Sequence, residues 1–260
     1  MRELGFVGEG ESRIDIVDLG LMPYREAWKI QQSLVASRVA GRTPDTLVFV
    51  EHPPVITLGR GAQRGNGAWV QPAPGTEIIE IERGGLATYH GPGQLVVYPI
   101  FRLDRKQRCP SREGVVSLIR ALENWIIQSL ARFEIKAGAL EGKTGVWVSG
   151  GARNLVQADL PIERKIASIG IAVRRWVSFH GLAFNYDTGV EVWRQLNPCG
   201  FSADVMTDLS LECARKIGRA ELLTALLASI DSGLLDAHSR GEALLGNQSP
   251  SGEDSLQDPA

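Results

Sequence analysis

The sequence predicts an α/β fold of the α+β type, a mixed β-sheet flanked by helices. Three observations lead there. Short apolar runs suited to strands and longer stretches with apolar residues at helical spacing are interspersed along the chain. The two kinds do not alternate regularly, as a βαβ array would require. And 260 residues, 43% hydrophobic and 22% charged, are enough for one large domain with a sizeable core.

The elements follow in order. Arg13–Leu19 alternates and reads as a strand. From Tyr24 to about Val39, apolar Ala27, Trp28, Ile30, Leu34 and Val35 recur at helical spacing, behind a Pro23 that suits a first turn. Strands are expected at Thr46–Glu51, Val55–Leu58, Glu77–Glu82 and Gln94–Phe101. The clearest helix is Ser111–Phe133, where Val115, Leu118, Ile119, Leu122, Trp125, Ile126 and Leu130 form one stripe and Ser111 is a suitable cap. Gly145–Ser149, Lys165–Val173 and Val177–Phe184 read as strands, and Leu209–Ile230 as a closing helix.

From about Ser239 the chain turns to Gly, Ser, Pro, Gln and Asp. Four acids against one arginine give this tail a charge of −3, so with −2 overall the first 238 residues stand near +1. The tail has too little apolar surface to offset the entropy of ordering it. Residues 1–238 are therefore expected to form the globular domain and 239–260 a disordered acidic tail.

Composition also narrows function. Without a basic excess the simplest nucleic-acid binder is excluded. Cys109, Cys199 and Cys213 lie far apart with no CxxC, which indicates neither a disulfide framework nor a cysteine-rich zinc site. The N-terminal MRELGFVGEGESR lacks the apolar core of a signal peptide, and no apolar run is long enough to span a membrane. A soluble cytoplasmic protein without nucleic-acid or membrane partners is expected.

Two glycine-rich stretches fall short of nucleotide motifs. Gly138-Ala-Leu-Glu-Gly-Lys-Thr144 has three residues between its glycines where a phosphate loop needs four, and Gly59–Gly65 is not GxGxxG. Both suit ordinary turns.

The densest stretch is Arg83-Gly-Gly-Leu-Ala-Thr-Tyr-His90-Gly-Pro-Gly-Gln94. Its glycines allow sharp turns and close approach to a ligand, while Arg83, Thr88, Tyr89, His90 and Gln94 add polar chemistry. Three further segments qualify. Lys165 opens the apolar run Lys-Ile-Ala-Ser-Ile-Gly170, though a lysine at a strand end is more often solvated. His180 precedes Gly181-Leu-Ala183 and is either a pocket residue or a satisfied interior histidine. Cys199 stands between Pro198 and Gly200 on a turn, where its sulfur can be exposed. A nucleophilic thiolate needs a nearby cation or base, for which Lys165, His90 and His180 are candidates. Cys213 has a packing context, and Cys109 lies in a basic loop.

Taken together, RGGLATYHGPGQLVVYP at 83–99, KIASIG at 165–170, FHGLAFN at 179–185 and NPCG at 197–200 resemble the lipoyl(octanoyl) transferases in content, order and spacing, over about Ile14 to Leu235. The stretch Ser149–Glu163 is longer than the resemblance leads one to expect, and the tail is extra. The resemblance implies a fold like that of the biotin and lipoate protein ligase catalytic domains, with residues 1–238 as the catalytic domain. It implies transfer of an octanoyl group from octanoyl-acyl carrier protein to a lysine of a lipoyl domain, through a cysteine thioester and without a cofactor or metal. Its acceptors are lipoyl domains of 2-oxoacid dehydrogenase subunits and the glycine cleavage H protein. Cys199 matches the nucleophile and Lys165 the lysine that lowers the thiol pKa. Arg83, Gly84, Gly85, Leu86, Ala87, Thr88, Tyr89 and His90 match one substrate-binding segment; Ser168, Ile169 and Gly170, with Gly181, Leu182 and Ala183, match the others.

Both protein substrates of that family are acidic, and the basic clusters Arg102–Arg112 and Arg174-Arg175 could receive them, although solvated charge explains each equally well. The rival readings are an ATP-using ligase of the same fold, which would not require Cys199; a non-catalytic acyl-binding protein, which has no use for the Cys199–Lys165 pair; and a metal site from His90, His180 and Cys199, which no spacing demands.

Overall fold

The structure, a computed structural model, describes residues 1–8, 13–64, 70–104, 113–149, 156–157, 160–161, 163–197 and 203–230. The tail, the Ser111 cap, Cys109, Cys199 and most of the basic cluster at 102–112 lie outside these residues.

The frame is an eight-stranded mixed sheet. In chain order its strands are β1 (Arg2–Val7), β2 (Ile14–Leu21), β3 (Asp45–Glu51), β7 (Gln94–Ile100), β8 (Ala137–Leu140), β9 (Lys143–Val148), β12 (Arg164–Arg174) and β13 (Val177–Asn185), and their spatial order is β1-β2-β3-β7-β13-β12-β9-β8. β2 and β3 run parallel, as their connection through helix α1 (Tyr24–Val39) requires; the other pairs are antiparallel. A small sheet lies beside it, with β4 (Val55–Leu58) between β5 (Glu77–Glu80) and β6 (Ala87–His90), and a short helix α2 (Arg60–Gln63) follows β4. Residue pairs Val156–Gln157 (β10) and Leu160–Pro161 (β11) form a minimal hairpin.

Helices cover both faces of the large sheet, because each of its central strands is apolar on both sides. Helix α3 (Glu113–Ala131) presents its expected stripe: Leu118, Leu122, Trp125, Ile126 and Leu130 are buried against Leu47, Phe49, Leu95 and Val97. Helix α1 covers the other face through Ala27 and Val35, over Val48, Val96, Tyr98 and Ala183.

Three expectations change. The closing helix is broken into α4 (Leu209–Glu212) and α5 (Arg219–Leu227). Ala214 turns at φ +51°, Ser210 Oγ accepts from Ile217 N at 2.8 Å, and Ile217 is buried in the core. The polar N-terminus adds the edge strand β1, whose residues are mostly exposed and so lack a hydrophobic signature. The glycine-rich stretch is not all loop: its second half is β6, paired residue by residue with β4. The segment 138–144 is the β8–β9 hairpin, with Gly142 at φ +71° in its turn. Among the described residues no helix is long and apolar enough to cross a membrane.

Candidate functional site

A narrow cleft of about 50 Å³ opens on the α1 side of the large sheet. Its floor is made by Ser168, Ile169 and Gly170 of β12 and Gly181, Leu182 and Ala183 of β13, which lie opposite one another in register. Its roof is Arg83, Gly84, Gly85 and Thr88; Tyr24, His90, Val96, Tyr98 and His180 complete it. Three segments distant in sequence thus meet in one cavity. Leu86, Ala87 and Tyr89, also expected here, do not line it: Ala87 and Tyr89 pack beneath the small sheet with Ile56 and Trp193.

The roof is braced from within. Gly85 takes φ +85°, the left-handed conformation that favours glycine, and the chain turns there. The Arg83 guanidinium donates to Thr57 O at 2.8 Å, Thr57 Oγ1 at 3.0 Å and Gly84 O at 2.9 Å. Much of this arginine's bonding capacity therefore shapes the loop.

His90 continues the network. Gln94 Nε2 donates to Tyr89 O and to Asn185 Oδ1, which leaves Gln94 Oε1 as acceptor for His90 Nδ1–H at 2.7 Å. His90 Nε2 then accepts from Thr57 Oγ1 at 3.3 Å. With both nitrogens engaged, burial, neighbouring His52 and Arg83 push its pKa well below the ordinary histidine value. A neutral imidazole is no cation for a thiol, and with both nitrogens bonded His90 has none free to act as its base. His180 differs: burial lowers its pKa, against the opposing pull of Glu82, but its Nε2 finds no hydrogen-bond partner among the described residues. Its place in the register also sets it apart, since it pairs with Ile171, six residues along β12 from Lys165.

His52 was not legible as a site residue. It is fully buried beside the cleft, donates from Nδ1 to Met22 O at 2.7 Å and accepts from Tyr98 Oη at 2.8 Å through Nε2. Burial pushes its pKa down to about 4. Tyr24 stacks on His90 at 5.7 Å and meets His52 at 5.0 Å, and burial raises its pKa. Neither residue stands in a motif; the one available signal was the His-Pro-Pro turn after β3.

Lys165 is 3% exposed, the reverse of the solvated strand-end lysine. Its Nζ stands 5.2 Å from the Trp147 ring centroid. A Cβ on Gly145 would lie 2.7 Å from Lys165 Cε, so the bare glycine makes room for the side chain. Its backbone is fastened to the chain that follows the NPCG motif: Met206 bridges Lys165 in parallel, and Thr207 N donates to Lys165 O at 3.1 Å. Beneath this, Arg164 makes two 2.8 Å bonds to Glu212, whose Oε1 also accepts from Thr207 Oγ1 at 2.6 Å. Asn185 Nδ2 donates to Thr207 O at 3.0 Å and ties this cluster to Gln94 and His90. On the near side of the motif, Leu196 bridges Val70. Both described ends of the Cys199 segment are thus anchored, the later one at Lys165. Cys199 itself lies outside the described residues.

Of the other expectations, Cys213 packs against the core and burial raises its thiol pKa. Arg102 pairs with Asp104 at 2.6 Å and Arg174 with Glu82 at 3.1 Å. Among the described residues no three His, Cys, Asp or Glu side chains are placed to hold a metal ion.

Comparisons with known proteins give the family and the fold. Residues 23–231 match the model of the lipoyl protein ligase A/B catalytic domain. The chain is 41% identical over 202 residues to the octanoyltransferase of Geobacter metallireducens, covering 78% of this chain and 84% of that one. It is 37% identical over 252 residues to the octanoyltransferase of Mycolicibacterium gilvum, covering 96% of each, and 37% over 227 residues to that of Mycobacterium tuberculosis, covering 86% and 90%. Among solved structures, a bipartite lipoate protein ligase from Thermoplasma acidophilum superposes with a TM-score of 0.56 at 16% identity, over 85% of this chain and 83% of that one. A lipoate-protein ligase A bound with ATP gives 0.53 at 15%, over 85% of each. These structures share the fold, and the family match together with the relatives carries the rest. The chain belongs to the lipoyl protein ligase A/B catalytic-domain family.

Proposed function

We propose that this chain is an octanoyltransferase, an acyltransferase of protein lipoylation. It takes an octanoyl group from octanoyl-acyl carrier protein and passes it to a specific lysine of a lipoyl domain, by way of a thioester on Cys199. The observation that carries the reading is 37–41% identity, over most of both chains, to curated octanoyltransferases. A lipoyl-domain acceptor is further supported by the archaeal lipoylation system, in which a bipartite lipoate protein ligase is described with its E2 lipoyl domain.

The chemistry suits the residues. The Cys199 thiolate attacks the carrier thioester, forming one C–S bond and breaking another of similar energy, so the exchange needs no ATP. The carrier thiolate leaves and takes up a proton. The acceptor amine then attacks the enzyme thioester, loses its proton and releases the thiol; the resulting amide is more stable than either thioester. The Lys165 ammonium would favour the thiolate in the first step. In the second, its neutral form would accept the proton of the incoming amine. The acyl chain would lie in the cleft, where burying its methylenes contributes roughly 5–6 kcal/mol at about 0.8 kcal/mol each. Acceptors of this chemistry are the lipoyl domains of 2-oxoacid dehydrogenase subunits and the glycine cleavage H protein. Residues 1–238 form the catalytic domain.

Likeness to the ATP-bound ligase favours a second reading, activation of free octanoate as an adenylate. One experiment separates the two: intact-protein mass spectrometry after incubation with octanoyl-acyl carrier protein, for wild type and Cys199→Ser. The transferase gains one octanoyl group, labile to hydroxylamine and absent from the variant. No adduct, with ATP-dependent octanoylation of a lipoyl domain from free octanoate, makes the chain a ligase.

A further inference from the structure

Two observations at the far end of the cleft bear on the length of what it holds. The first is where roof meets floor. Gly84 N donates to Ile171 O at 3.3 Å, and a Cβ on Gly170 would stand 3.0 Å from Gly84 O and 3.1 Å from Arg83 Cδ. The roof rests on the floor there because Gly170 has no side chain.

The second is the direction of His180. Along β13, Phe179 and Ala183 face the α1 side and Leu182 and Phe184 the α3 side. Strict alternation would send His180 with the latter pair. Its φ of +55° breaks the alternation and turns the imidazole to the α1 side, 3.5 Å from Tyr24 Oη and 3.6 Å from Glu82 Oε2. The conformation is costly for a residue with a Cβ and persists only where its surroundings hold it. Gln31 Oε1 does so, accepting from His180 N at 2.6 Å. Because His180 pairs with Ile171, its ring stands at the level where roof and floor close. Its Nε2 is buried and finds no hydrogen-bond partner among the described residues.

We propose that this wall sets the length of the acyl chain, with Gly170 and His180 as specificity-determining residues. The inference rests on the octanoyltransferase reading, with the carbonyl reacting at the Lys165 end. Lys165 and Gly170 lie on one strand about 16 Å apart, at about 3.3 Å per residue. An extended eight-carbon chain spans about 10 Å from its bond lengths, which leaves about 6 Å for the reacting groups. Two more methylenes bring the chain end against the imidazole, which offers neither space nor an apolar surface.

The test is competition among hexanoyl, octanoyl and decanoyl carrier proteins for one lipoyl domain, read as ratios of acylated product. Gly170→Ala adds bulk at the wall and should lower the octanoyl-to-hexanoyl ratio about tenfold, the scale of one misfit methylene. His180→Asn keeps a residue tolerant of left-handed φ and removes two heavy atoms, so the decanoyl-to-octanoyl ratio should rise several-fold. Opposite shifts support the wall. Normal octanoyl transfer with unchanged ratios, or both ratios moving the same way, overturns it. Should Gly170→Ala lose transfer from every carrier, the His180→Asn ratio decides. A wild type that transfers from no carrier overturns the octanoyltransferase reading, and this inference with it.

Discussion

The two faces of the large sheet are equally well buried and differ in what they bury. On the α3 side, Leu47, Phe49, Leu95, Trp125, Ile126 and Phe184 interlock, and the indole of Trp125 meets its one polar need at Leu226 O, 2.9 Å away. On the α1 side, two tyrosines and three histidines, Tyr24, Tyr98, His52, His90 and His180, stand around a cleft. Buried polar groups are costly unless bonded, and Trp28 Nε1, Gln31 Nε2, Thr88 Oγ1 and His180 Nε2 on this side find no hydrogen-bond partner among the described residues. One face is shaped for packing density and the other keeps polar groups around a cleft. Burial alone therefore does not mark the structural core of this protein.

The contrast can be broken at single residues. The largest effect is expected at the reacting end: Lys165→Met should lower transfer by about 10²–10⁴-fold, as for loss of a general acid–base group, with the urea midpoint little changed. A normal rate would remove Lys165 from the chemistry. On the opposite face the signs reverse. Trp125→Ala should cost about 3–5 kcal/mol in a urea titration while the rate per folded molecule holds.

Acid should act through the cleft face. His52 and His90 titrate below the ordinary histidine value when folded, so the unfolded chain binds more protons below pH 6.5. Stability should therefore fall as pH drops from about 6.5 toward 4, the folded value of His52, below which the His52 contribution levels off. His52→Gln should flatten that slope; an unchanged slope assigns acid sensitivity to other groups. The smallest effect expected is at Gln94→Met, which leaves His90 Nδ1 and Asn185 Oδ1 short of a partner, at about 1–3 kcal/mol by thermal unfolding. If octanoyl transfer falls by more than the folded fraction, the network also positions the roof.

Most strands and two helices were legible because their periodicity reports local burial. Tyr24–Val39 is helical over the expected span, and Val55–Leu58 and Val177–Asn185 are strands within a residue of expectation. The break between α4 and α5 was not legible, since helical spacing persists through Ile217. The segments that line the cleft were readable as unusual local chemistry, glycines beside polar groups. Their supports were less so: Asn185 ends the FHGLAFN segment, but His52, Tyr24 and Thr57 are ordinary residues in ordinary runs, brought to the site by elements far apart in sequence.

By itself, then, the sequence determined the elements, the family and the residues that resemble a known site, because these depend on neighbours a few positions away. Only the tertiary structure decided that Lys165 is buried, that His90 is neutral with both nitrogens bonded, and that His180 turns against the alternation of its strand. Protonation and side-chain direction depend on partners that chain connectivity does not name, here residues from about thirty to more than a hundred positions away, such as Thr57 for His90 and Gln31 for His180.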